Sequence, residues 1–264
     1  MRLDDLIQLM RRLDLGEPGK PRRPPRENLS ELQTAFSRGL ADPDFALDCI
    51  EQDLRAWSDW EASGWKGRKP PIAAIPELGI SMMFFFWPPG EVSLPHEHVS
   101  WTMSSVFHNR LRVTTYHWDR AVQERRLEEK NVFSAEPGRV GYIYNPCIHS
   151  PRNASADWAT SIHIYNADDL PVLEKQVGPI EGLEPADSTA DAAIYEARPP
   201  EVFLRVRECT YRVHAEAAAR FPAARTMRFL EQLHRLGDAS TQEVVARSMR
   251  ALDPIEAEAK LRRL

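Results

Sequence analysis

The chain has 264 residues, 42% of them hydrophobic and 28% charged, which suits one large soluble domain or a domain with an appendage. Acidic residues outnumber basic ones by 39 to 34, for a formal net charge of -5, so the charge balance gives no reason to expect nucleic acid as a partner. No apolar run approaches the ~20 residues that cross a bilayer, and the charged start, Met1 to Leu15, does not read as a signal peptide. Cys49, Cys147 and Cys209 are widely spaced and form no CxxC pair, so a reducing cytoplasm is the expected location, with no membrane partner.

Leu3, Leu6, Ile7, Met10 and Leu13 recur at helical spacing and predict an amphipathic opening helix. Gly16 to Pro25 breaks it, and the basic stretch Lys20 to Arg26 reads as a solvated connector. Ser30-Glu31-Leu32-Gln33 reads as a capping box opening a second helix. Phe45, Leu47, Ile50, Leu54 and Trp57 predict a third, and Gly64 to Pro71 is the next loop. From Ile80 to Tyr165 the character changes to short strands: residues 80–87, 110–117, the GYIYNP stretch and the ATSIHIY stretch. His108-Asn109-Arg110 sits at an expected hairpin turn. After Pro199-Pro200 helical spacing returns with Phe229, Leu230, Leu233 and Leu236, and Ser240-Thr241-Gln242-Glu243 reads as another capping box. The expected plan is an N-terminal helical segment, 1–70, packing on a β core, 71–198, followed by a C-terminal helical extension, 199–264.

Six of the eight histidines fall in the β region. His96 and His98 flank Glu97, and residues two apart on a strand point to one face, so both imidazoles reach one ion. An H-x-H pair alone is a weak signal. His149, after a strand-like stretch, is the candidate third ligand. Ser161, His163 and Tyr165 alternate along another strand, with Ile162 and Ile164 on its other face. Ser161 and His163 would then hydrogen-bond in series to the Tyr165 phenol; the competing interpretation is an internal polar network with no catalytic part.

Gly90, His96 and His98 form G-x5-H-x-H, and His149 with Asn153 forms H-x3-N, in the order of the two halves of the cupin signature. The stretch after His98, Val99 to Met103, lacks the glutamate that usually follows. In this the chain resembles the thiol dioxygenases, relatives of cysteine and 3-mercaptopropionate dioxygenase, over roughly residues 80–166. Trp87 nine residues before His96, the Trp101-containing hairpin and Ser161-Ile162-His163-Ile164-Tyr165 extend the match. The resemblance implies a mainly β cupin barrel (a double-stranded β-helix or jelly roll) flanked by helices at both termini. It further implies Fe(II) on His96, His98 and His149. The activity implied is addition of both atoms of O2 to the sulfur of a small thiol, giving a sulfinate, with Tyr165, His163 and Ser161 as the catalytic group. Three neutral imidazoles suit Fe(II) and leave positions open for thiol and O2.

The chain departs from the family where an arginine would meet a substrate carboxylate: Pro71 to Pro76 is apolar there. The substrate is therefore expected not to be L-cysteine. The cysteine that crosslinks to the tyrosine in some relatives is also missing, with Thr102 or Met103 in its place. Candidate substrate contacts are Trp101, Arg152, Ala73, Ala74 and Phe84; the aromatic ones read first as core and Arg152 as an exposed charge, with a substrate contact as the alternative. Alternative functions are a cupin metal enzyme on a non-thiol substrate (oxygenase or isomerase) and a non-catalytic small-molecule-binding cupin. The terminal helices are a candidate homodimer surface.

Overall fold

The computed structural model describes residues 1–18, 20, 23–66, 69–96, 98, 101–118, 127–144, 147–166 and 200–264. Parts of the expected connectors (Pro21, Arg22, Arg68) and of the stretch after His98 (Val99, Ser100) lie outside the described residues, as do Asn145 and Pro146. The elements, in order, are α1 (Leu3–Arg12), α2 (Arg26–Leu40), α3 (Pro43–Ala62), β1 (Ala73–Ile75), β2 (Ile80–Trp87), β3 (Trp101–His108), β4 (Leu111–Trp118), β5 (Leu127–Ala135), β6 (Val140–Tyr144), β7 (Ile148–Arg152), β8 (Ala159–Asn166), α4 (Pro200–Ala218), α5 (Ala224–Leu236), α6 (Ala239–Leu252) and α7 (Pro254–Leu261). Helices account for more of the described residues than strands do, so "mainly β" holds for the middle of the chain and not for the whole.

The chain divides into two compact units. One joins Met1–Leu3, Arg38–Pro70 and the described part of Ala192–Leu264; the other joins Asp4–Ser37 and the described part of Pro71–Asp191. Residues 1–70, expected as one segment, are thus shared out, and the division falls inside α2. Hydrogen bonds explain the split. Trp101 Nε1 donates to the Leu15 carbonyl (3.1 Å), Gln33 Nε2 to Val140 O (2.6 Å) and Ser37 Oγ to Gly138 O (3.3 Å), tying the segment after α1 to β3 and α2 to β6 and the turn before it. α3 instead buries Trp57 and Trp60 against Phe203 and Val206 of α4.

In the helical unit, α3 starts at a well-formed cap. Asp42 accepts from Asp44 N (2.9 Å) and Pro43 takes the first helical position, where a missing N–H costs nothing. α2 starts four residues earlier than the expected Ser30 box. Leu29 N already bonds Pro25 O (3.1 Å), so the helix is running when it reaches Ser30. Likewise α6 is capped by Asp238, which accepts from Thr241 N (2.7 Å), and Ser240 lies inside the helix.

A charged cluster is sealed in this unit: Lys69 Nζ meets Asp53 Oδ1 at 2.5 Å, and His214 Nε2 meets Asp53 Oδ2 at 2.9 Å, with Lys69 2% exposed and Asp53 and His214 fully buried. Burial pushes the Asp53 carboxyl up, but the Lys69 ammonium and the His214 ring outweigh it and hold it below the usual carboxylate range. Removing one partner from such a pair leaves a buried charge uncompensated, so Lys69→Ala should destabilise the protein by ~3–5 kcal/mol in denaturant unfolding. An unchanged unfolding midpoint would show that the ammonium contributes nothing. Because the folded pKa of Asp53 is depressed, its contribution is present above the ordinary carboxylate pKa and is lost as pH falls through the folded value.

The β core consists of two antiparallel sheets, ordered β1-β2-β8-β3-β6 and β5-β4-β7. β2 is buried at all eight positions, as a strand covered on both faces must be, which accounts for its unbroken apolar run. β8 lies between β2 and β3, so its alternation sets two faces. Ile162 and Ile164 are fully buried on one, and Ser161, His163 and Tyr165 share the other.

Candidate metal centre

His96 reaches the centre on an extended run that leaves β2 through a turn at Gly90, whose φ of +82° is a conformation that favours glycine. This run, residues 90–96, lies antiparallel along β7. Gly90 N bonds Asn153 O (3.0 Å), Asn153 N bonds Glu91 O (2.8 Å), and His96 and His149 exchange both backbone bonds at 3.0 Å. The two motif halves are therefore hydrogen-bonded to each other. Asn153, fully buried, explains its own place in the motif: Nδ2 donates to the carbonyls of Trp87 (2.8 Å), Pro88 (3.1 Å) and Asp157 (2.8 Å), pinning the exit of β2 to the end of β7.

The side chains of His96, His98 and His149 are 6%, 5% and 5% exposed, and each offers a donor atom within 4.8 Å of the other two. The ring centroids are 5.3 Å apart for His96 and His98, 4.4 Å for His96 and His149, and 5.2 Å for His98 and His149. Ligand nitrogens sit ~2.0–2.1 Å from a bound ion, so small ring rotations bring all three onto one centre. Burial lowers all three pKa values: that of His98 falls to about 3, helped by the neighbouring rings of His96 and His163, and that of His149 lies well below the ordinary range. The rings are thus neutral at physiological pH, the form that ligates metal. His96 Nδ1 lies 2.8 Å from the Leu94 carbonyl, which can only accept, so Nδ1 carries the proton and Nε2 the lone pair. Nδ1 of His98 is buried without a hydrogen-bond partner among the described residues. Three buried neutral imidazoles whose donor atoms converge form a set that a cation can take up. The residues fit a metal ion.

Burial, with the His96 ring adding to it, lowers the pKa of His163 to about 3. Its Nε2 lies 2.8 Å from Ser161 Oγ, and Ser161 Oγ accepts from Trp87 Nε1 (2.8 Å). The expected series is joined at its Ser161–His163 end. The Tyr165 hydroxyl donates to the Met83 sulfur, on the strand paired with β8. Neither the Trp87 bond nor the Met83 contact is foreseeable from spacing, because both depend on the β2–β8 register.

The substrate candidates separate by face. Ala74 is in a row with Ser81, Tyr165, Thr102 and Ile143, on the Tyr165 face; Ala73 is on the other. Phe84 is opposite Ile162 and packs on Phe107 at 4.9 Å, away from His163. Trp101, beside Thr102 in β3, faces the same way as Phe84 and is fully buried. Both aromatics are core residues. Arg152 is three positions beyond His149 in β7, so it is on the opposite face of that strand and is exposed. Alternation along these paired stretches puts Ala73, Phe84 and Trp101 on the face away from His163, and Arg152 on the face away from His149.

No protein-family model matches the chain, and no curated protein does. Solved structures that resemble it include an oxalate oxidase, 20% identical, covering 34% of this chain and 43% of that one with a TM-score of 0.28. Another is oxalate decarboxylase from Bacillus subtilis, a protein with Mn(II) centres, 18% identical, covering 35% of this chain and 22% of that one with a TM-score of 0.29. The match spans less than half the length of either protein. A likeness of this size names neither the metal nor the substrate.

Proposed function

We propose that the chain is a mononuclear iron(II) enzyme of the cupin type that adds both atoms of O2 to the sulfur of a small thiol. The observation that carries this proposal is the donor set: three buried imidazoles and, among the described residues, no carboxylate in the group. Such a set suits Fe(II) and leaves the full charge of the cation in place. Bound iron would supply the charge that favours the thiolate and the open positions where thiol and O2 meet. The overall change, RSH plus O2 to RSO2H, balances without an external reductant.

The chain's own groups do the rest. Leu94 O fixes the tautomer of His96. Trp87 holds Ser161, and Ser161 holds the His163 ring. Tyr165, 2% exposed, brings a phenolic hydroxyl to the same face, where it serves as a proton donor to the reacting sulfur or oxygen.

The substrate is a thiol other than L-cysteine. The segment before β2 is apolar, with Ile72 and Ile75 buried, and Arg152 faces away from His149. A carboxylate brought to such a site loses hydration for little return. Iron-loaded protein should consume O2 with at least one thiol of a panel and yield a product heavier by two oxygen atoms. L-cysteine should have a kcat/KM at least ~10-fold below the best member, since ~1.4 kcal/mol of unrepaid desolvation suffices. If no thiol supports uptake, the reaction is assigned wrongly; if cysteine is best, the inference from the missing arginine fails.

A further inference from the structure

The face of the β5-β4-β7 sheet opposite His149 carries a cationic cluster that the proposed chemistry does not use. In register, Ser134, Arg112 and Arg152 form one row across the three strands, so the two arginines are direct cross-strand neighbours. Like charges so placed oppose folding. Arg110 lies just before β4, and Arg110 and Arg112 line a pocket of about 320 Å³ with Val132, Phe133, Ser134, Ala154 and Ser155. None of Arg110, Arg112 and Arg152 is ion-paired with another described residue, although the chain holds more acidic than basic groups. Val132, on the same face, is 43% exposed, and Phe133, 50% exposed, lines the pocket from the other face of the edge strand β5.

The walls are also held in place. Asn109, at φ +60°, donates from Nδ2 to Ser155 Oγ (2.8 Å) and to the Trp158 carbonyl (3.2 Å). That ties the β3–β4 turn, which presents Arg110, to the β7–β8 loop, which presents Ala154 and Ser155. A preformed concavity with two guanidinium groups, a hydroxyl and exposed apolar side chains matches a ligand with an acid group on an apolar body. Guanidinium takes a carboxylate by two parallel hydrogen bonds, and the volume is of the order of small-molecule sites, ~300 Å³ and upward.

We propose that this pocket is a second binding site, apart from the histidine centre, for a small carboxylate with an aryl or alkyl body. It does not depend on which metal or reaction the histidines serve. The test is calorimetric titration of the whole protein with 4-phenylbutyrate, beside 4-phenylbutanol, which has the body without the charge, and acetate, which has the charge without the body. The expected result is saturable binding of phenylbutyrate only, weakened by salt. Arg112→Gln and Arg110→Gln should each weaken it by ~10-fold or more, the size of one charge-assisted contact, and His149→Ala should leave it unchanged. Both arginines are surface residues, and circular dichroism confirms that the variants fold. Absence of binding, equal binding of the alcohol or of acetate, indifference to both arginine changes, or loss in His149→Ala would each overturn the proposal.

Discussion

His149→Ala should lose its metal and keep its fold. The loss follows from the donor count. The histidine group has three members, all buried, and no other described His, Cys, Asp or Glu joins it, so nothing adjacent replaces the lost nitrogen. A full site of protein ligands is worth ~10–16 kcal/mol to a zinc ion. A third of that exceeds what is needed to weaken binding ~10²-fold, and iron measured per chain after reconstitution and desalting should fall accordingly. The fold is retained because His149 is joined to His96 through backbone N–H and C=O groups, which alanine keeps. His96→Ala and His98→Ala should behave alike. Full iron in all three variants would place the metal elsewhere.

The same centre makes the metal-free protein acid-sensitive. His98 has its folded pKa lowered to about 3, and His96 and His149 are shifted the same way. The unfolded chain takes up protons near the ordinary histidine value while the folded chain does not, so stability falls as pH drops from there toward the folded values. Replacing a ligand by alanine removes one of these groups, and the variant should lose less stability on acidification than the parent.

The parts of this architecture that were legible in the sequence are those with a short-range signal. Two-residue alternation placed Ser161, His163 and Tyr165 on one face, and the spacing of Gly90, His96, His98, His149 and Asn153 anticipated the histidine group. The Asn109 turn was equally readable, because asparagine tolerates the positive φ it adopts. What depended on pairing between distant strands was not readable. Trp101 and Phe84 read in a linear sequence either as core or as pocket walls, and only the register of β3 and β2 on β8 decides for the core by turning them to the far face. The division inside α2 was hidden for a similar reason. Nothing local in residues 1–70 says that Gln33 bonds Val140 while Trp60 packs on Phe203.

Tyr165→Phe should keep its iron and lose most of its turnover. The ring is nearly buried in the central strand β8, 2% exposed, and phenylalanine preserves its volume and its packing beside Phe85, whose ring centroid is 6.4 Å away. Only the hydroxyl goes. In the structure that hydroxyl donates to the Met83 sulfur. A thioether is a weak acceptor, so that contact costs little to exchange for one with a reacting sulfur or oxygen. A positioned proton donor contributes ~10²–10⁴-fold, and the loss should appear in kcat more than in KM, because the contact strengthens as charge develops rather than when substrate binds. The comparison with His163→Ala separates catalysis from packing. His163 is fixed by Ser161 and does not carry the phenol, so its loss should lower turnover less than the loss of the Tyr165 hydroxyl does. Turnover in Tyr165→Phe equal to the parent's, with iron unchanged, would reduce Tyr165 to a core residue and leave the three histidines as the whole of the chemistry.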